Sequence, residues 1–197
     1  MKKLCFGLIL GLIAIASSSA LAQKLVNIRG TVTAFDGKII SLNSREGGQV
    51  QVELPEKVNV AGTKTITLAD VKPGMPLGVT TIKRADGEIV AIDVRPIPPT
   101  APPGLSPHDL QPGSTMTNAV LEGQVQSAGG AELTLNYKTG MIKVLVPPGT
   151  PMSATIPGNR SDIKPGETVS IAARAGADGK FVAARIQVST KGVKPTW

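Results

Sequence analysis

The chain has 197 residues, of which 41% are hydrophobic but only 3% aromatic, enough for one or two small cores and too few rings to build a base-stacking surface. It carries 21 basic and 14 acidic side chains, a single cysteine, Cys5, and a single histidine, His108. That inventory excludes a disulfide framework and cysteine-rich metal sites, and it leaves serine catalysis only one possible histidine base.

The N-terminus reads MKKLCFGLILGLIAIASSSALAQ. Lys2 and Lys3 precede an apolar run from Leu4 to Ala16, and Ala20-Leu21-Ala22 offers a small-x-small cleavage site. This is the anatomy of a secretory signal peptide over residues 1–22. The run is shorter than the roughly 20 residues a spanning helix needs. Cys5 lies inside it rather than at the cleavage end, so no lipidated first residue is expected. The expected location is the periplasm, with no membrane span in the mature chain.

After residue 22 the sequence repeats itself. Asp70-Val71-Lys72-Pro73-Gly74 returns as Asp162-Ile163-Lys164-Pro165-Gly166, and ADGEIVA at 85–91 returns as ADGKFVA at 177–183, both 92 residues later. Nearer each start the spacing reads as 93, pairing IRGTV at 28–32 with LEGQV at 121–125. Two units of about 70 residues are too long and too few for a solenoid. Within each unit apolar residues alternate with polar ones, as in Ile28, Gly30, Val32 and in Val90, Ile92, Val94, the mark of half-buried strands. Asp36-Gly37, Asp86-Gly87, Gly129-Gly130 and Asp178-Gly179 supply tight hairpin turns. Leu68 and Val71 share one face of a single helical turn before Pro73-Gly74, a type II turn pair. In the second unit Pro157, Gly158 and Arg160 shorten that turn. Five strands with a crossover after the third predict an all-β fold: two tandem small five-stranded Greek-key barrels of the OB type, joined by a Pro-rich linker. An SH3-like barrel or a short sandwich is the alternative. The expected boundaries are 23–95, 96–118 for the linker, 119–190, and a tail at 191–197. The linker opens stiff and extended, while Leu110 and Met116 in its second part suit docking against a barrel.

The motifs RGTVTAFDGKIISL, LADVKPG and ADGEIVAIDV together resemble a bacterial family of exported small β-barrel domains of unknown function. The whole mature chain is similar to a narrower group often labelled metal ABC transporter permease, a label that a chain with no second apolar run does not fit. The resemblance implies architecture and implies no catalytic or binding residues.

No metalloprotease, nucleotide-binding, nucleophile-elbow or calcium-loop motif occurs, so no enzyme and no cofactor is expected. Nucleic acid is not an expected partner, because Phe35, Tyr137, Phe181 and Trp197 form no platform. A soft-metal site has only His108 and Met116 as weak candidates; Met75 and Met141 sit where methionine serves as packing. Residues 119–197 hold nine basic and five acidic side chains against nine and eight in 23–94. Lys138, Lys143, Lys164, Arg174 and Arg185 are therefore the candidate basic face. The expected function is non-enzymatic binding or scaffolding in the cell envelope, toward an anionic polymer or a protein partner, with a metal carrier as the alternative.

Overall fold

The structure is a computed structural model that describes residues 25–127, 129–176 and 179–195. The expected signal peptide, Asp178 and Trp197 lie outside the described residues. The strands in chain order are β1 (Leu25–Phe35), β2 (Ile39–Ser44), β3 (Gln49–Glu53), β4 (Asn59–Thr65), β5 (Pro76–Lys83), β6 (Ile89–Pro96), β7 (Gly104–Pro107), β8 (Thr115–Ser127), β9 (Gly130–Asn136), β10 (Met141–Val146), β11 (Ser153–Pro157), β12 (Thr168–Ala175) and β13 (Phe181–Val188). Two 3-10 turns, Leu68–Asp70 and Arg160–Asp162, interrupt them.

The fold is all-β and contains two closed five-stranded barrels. One is the ring β1-β2-β3-β13-β12, closed by β12 on β1; the other is β8-β9-β10-β6-β5, closed by β5 on β8. Each has a single parallel seam, β3 with β13 and β10 with β6, and the remaining pairs are antiparallel. The composition of each ring departs from the sequence boundaries. The stretches 23–95 and 119–190 delimit the repeats, not the barrels, because each repeat gives its first three strands to one barrel and its last two to the other. The "terminal barrel" is thus discontinuous, with core residues Ile28 to Val60 and Ile163 to Val188. The "central barrel" is one continuous stretch, its core running from Ile66 to Val146.

The physical cause is the crossover. In each repeat the chain leaves the third strand and runs straight on as β4 or β11 instead of folding back. β4 lies beside β13, with Ile186 opposite Val60, and then pairs antiparallel with β11. Thr63 faces Thr155 in that ribbon, and these two threonines hold the same place in their repeats. A pseudo-twofold axis therefore passes between them, as in a domain-swapped dimer made within one chain. The proline-rich segment does join the two repeats, but both its ends attach to the central barrel, β6 before it and β8 after it. The two crossovers, not the linker, connect the barrels.

The repeats also align differently near their starts. Val32 pairs with Leu42, whereas Leu135, the counterpart of Leu42, pairs with Leu121. Val32 therefore corresponds to Leu121, Gly30 to Ala119 and Phe35 to Gln124, a spacing of 89 in place of the expected 93. The β8–β9 hairpin is four residues longer than the β1–β2 hairpin. Bulges fall at matching places, beside Val32 and Ala34 and beside Leu121 and Gly123, which fixes the correspondence.

The repeated motif closes each barrel. Asp70 accepts the backbone N–H of Thr67, and Asp162 accepts that of Asn159. Val71 and Ile163 are buried at 0% and 4% exposure. Gly74 and Gly166 take φ of +87° and +91°, the left-handed backbone that their turns need. The hydrogen bonds to Asp70 hold its carboxyl below the ordinary carboxylate range.

Candidate binding surfaces

The exchange redistributes charge. Among the described residues, 25–60, 158–176 and 179–195 build the terminal barrel and carry 11 basic and 6 acidic side chains, whereas 61–157 carry 7 of each. The net positive charge of the described residues therefore resides on the terminal barrel. The expected five-residue basic face is split accordingly. Arg174 on β12 and Arg185 on β13 are exposed on neighbouring strands of the terminal barrel, and Lys164 precedes β12 on the same barrel. Lys138 and Lys143 belong to β9–β10 of the central barrel, where Lys143 Nζ lies 2.8 Å from Glu132. They do not join the other three, because the second repeat is divided at its crossover.

The second part of the linker is clasped by both barrels. β7 adds to β8, with Ser106 opposite Met116, and Asn118 donates to the Pro102 carbonyl. From the terminal barrel, the two terminal nitrogens of Arg29 donate to both Asp109 oxygens at 2.8 and 2.7 Å. Arg45 adds bonds to the Asp109 and Leu110 carbonyls. Arg29 points outward from its barrel yet is 2% exposed, because the linker covers it. Its bidentate geometry holds the Asp109 carboxyl below the usual range. No signal in the sequence singled out Arg29 or Asp93, since both occupy outward positions that read as solvent-facing.

His108 and Met116 lie beneath this clasp. The Met116 sulfur sits 4.0 Å from Thr80 Oγ1 and 3.8 Å from Arg95 Nη2. Burial, followed by the Arg95 charge, holds the His108 imidazole below its ordinary pKa. A fixed guanidinium beside both side chains opposes a bound cation, and among the described residues no group of three or more His, Cys, Asp or Glu gathers to hold a metal. Met75 packs against the central core as expected of filler. Met141 does not: it is 60% exposed, on the outward face of β10.

Asp93 is the buried acid of this cluster, 2% exposed. Arg95 Nη1 donates to its Oδ2 at 2.6 Å, while Oδ1 accepts no hydrogen bond among the described residues. Burial pushes its pKa from 3.8 up to about 6, against the opposing pull of Arg95. The native state thus keeps a proton that the unfolded chain releases near pH 4. Stability contributed by this group is present below that value and is lost as pH rises through about 6, by up to about 3 kcal/mol. Asp93→Asn should therefore gain stability over the parent between pH 4.5 and 7.5 in urea unfolding. Parallel pH profiles for the two proteins would contradict this. Asp36, Asp70 and Asp109, whose pKa values are lowered, act at lower pH and in the opposite sense, and they are common to both proteins.

No family model, curated protein or solved structure matches this chain. No helix among the described residues is long and apolar enough to cross a membrane.

Proposed function

We propose that the protein is an exported, non-enzymatic binding module of the cell envelope whose terminal barrel engages an anionic polymer. One observation carries this reading: among the described residues the strand exchange gathers the excess of basic side chains, 11 against 6, on one barrel and leaves the other balanced. Arg174 and Arg185 then stand exposed on adjacent strands, where their potentials add. The N-terminal apolar run and the resemblance to exported β-barrel domains support an envelope location. His108, the chain's only histidine, is enclosed between linker and barrel, which supports a role without general-base chemistry. The metal-carrier alternative gains nothing from an arginine lying against its two candidate ligands.

The test is titration with a sulfated dextran. Binding should weaken steeply as salt rises, because screening shortens from about 10 Å at 0.1 M to about 3 Å at 1 M. The R174E/R185E variant should lose affinity at low salt, whereas K138E/K143E should retain it. Salt-independent binding, or equal losses in both variants, would overturn the assignment to the terminal barrel.

A further inference from the structure

The β7–β8 hairpin carries a carboxylate onto the basic barrel from outside it. Its tip, residues 108–114, keeps its shape by internal bonds: His108 N–H donates to the Ser114 carbonyl at 2.9 Å, and Ser114 Oγ lies 2.8 Å from both the His108 and Gln111 carbonyl oxygens. The turn therefore does not depend on the terminal barrel. What reaches across is Asp109, gripped by both terminal nitrogens of Arg29, while Arg45 bonds the Asp109 and Leu110 carbonyls. The two halves of the ion pair are unequal: the Arg29 side chain is 3% exposed and that of Asp109 is 61% exposed. A pair so open to water on one side is weakly held, and lifting the tip uncovers the guanidinium.

Arg29 belongs to the same outward face as the exposed arginines. Asn27, two residues before it on β1, stands opposite Ala172, which in turn stands opposite Arg185. With strands about 4.8 Å apart and about 3.4 Å per residue along them, Arg29 and Arg185 are roughly 12 Å apart across this face. Arg174 stands opposite Leu25, farther along the same pair of strands. Arg45 is beside Arg29, because its N–H donates to the Arg29 carbonyl at 2.8 Å. Asp109 thus seats a negative charge at one end of a group of arginines, where the acidic group of a ligand would sit.

We propose that the hairpin tip is an autoinhibitory latch: Asp109 occupies an oxyanion site built by Arg29 and Arg45, and the anionic polymer displaces it. This rests on the reading that the terminal barrel binds such a polymer. Arg174 and Arg185, which are exposed, capture the polymer first. Further acidic groups of the same polymer chain then meet the latch at a high effective concentration, which a separate anion in solution lacks. The latch therefore selects anions linked in a chain over single ones. Arg29 supplies the forked, bidentate grip suited to an oxyanion.

The test titrates sulfated dextran at low salt into the parent, Asp109→Asn and Glu56→Gln, the last an equal change of charge at an exposed acid of the same barrel. Asp109→Asn should bind about tenfold tighter, the scale of one charge-assisted hydrogen bond. Glu56→Gln should gain less than about twofold, as one screened surface charge does. Adding Arg29→Gln to Asp109→Asn should abolish the gain. In the parent, saturation with sulfated dextran should shift the Asp109 and Leu110 amide resonances, and a monomeric glucose sulfate at equal sulfate concentration should leave them in place. Parent binding with no gain in Asp109→Asn, an equal gain in Glu56→Gln, a gain that survives Arg29→Gln, or tip amides that ignore the polymer or follow the monomer equally would overturn the latch and leave the barrel assignment standing. Failure of the parent and Asp109→Asn alike to bind would overturn both.

Discussion

A fragment spanning residues 64–157 is expected to fold alone as a monomeric barrel, whereas fragments 23–95 and 119–190, one repeat each, are not. The central core lies wholly inside the first fragment. A single repeat contains three strands of one barrel and two of the other. Fragment 23–95 keeps Ile28, Val32, Ile40, Leu42 and Val52 but loses Val169, Ile171, Ile186 and Val188, which cover them. Each such residue contributes about 1.5–3 kcal/mol on full burial. Losing four removes roughly 6–12 kcal/mol, comparable to the whole stability of a domain at about 5–15 kcal/mol. The repeat fragments should therefore be unfolded or should associate into exchanged dimers. Sedimentation and circular dichroism distinguish these states, and a folded monomer of 23–95 would contradict the exchange.

The second large effect is at Gly30. A Cβ there would lie 2.2 Å from the Asn43 carbonyl oxygen and 2.9 Å from its carbon, both backbone atoms of the paired strand that cannot rotate away. Gly30→Ala should cost about 3 kcal/mol, the upper part of the range for overpacking a core. Gly123, its apparent partner in the sequence motif, meets nothing within 4 Å. Gly123→Ala should stay within about 0.5 kcal/mol of the parent, as surface changes do. The structural counterpart of Gly30 is Ala119, 3% exposed, so the central barrel accommodates a Cβ at this point. Urea unfolding of the two variants tests the contrast, and equal losses would show that the motif alignment is the structural one.

That contrast shows what the sequence could reveal. Period-two alternation located the barrel strands, and the glycines at 37, 74, 87 and 166 marked turns that do take positive φ. The four-residue difference between a spacing of 89 and one of 93 was invisible, because an even shift leaves every inward residue inward. The exchange was invisible for a related reason. The repeats are alike, so strands β5 and β6 suit either barrel, and only the straight run of β4 and β11 decides which one they enter. Arg29 and Asp93 escaped notice because what buries them is the linker and the neighbouring barrel, not their own strand. Among the candidate basic residues, sequence identified Arg174, Arg185 and Lys164 as members of one group. It could not separate them from Lys138 and Lys143 without the topology.

The exchange is tested most directly by crosslinking β1 to its neighbour in the intact chain. Thr31 lies opposite Thr168 on β12; if each repeat closed its own barrel, Thr31 would instead lie opposite Pro76, the residue equivalent to Thr168. In a background with Cys5 replaced by serine, cysteines at 31 and 168 should join rapidly through a short thiol-specific linker, and cysteines at 31 and 76 should not. Efficient joining of 31 to 76, with none between 31 and 168, would contradict the strand exchange and with it the charged terminal barrel.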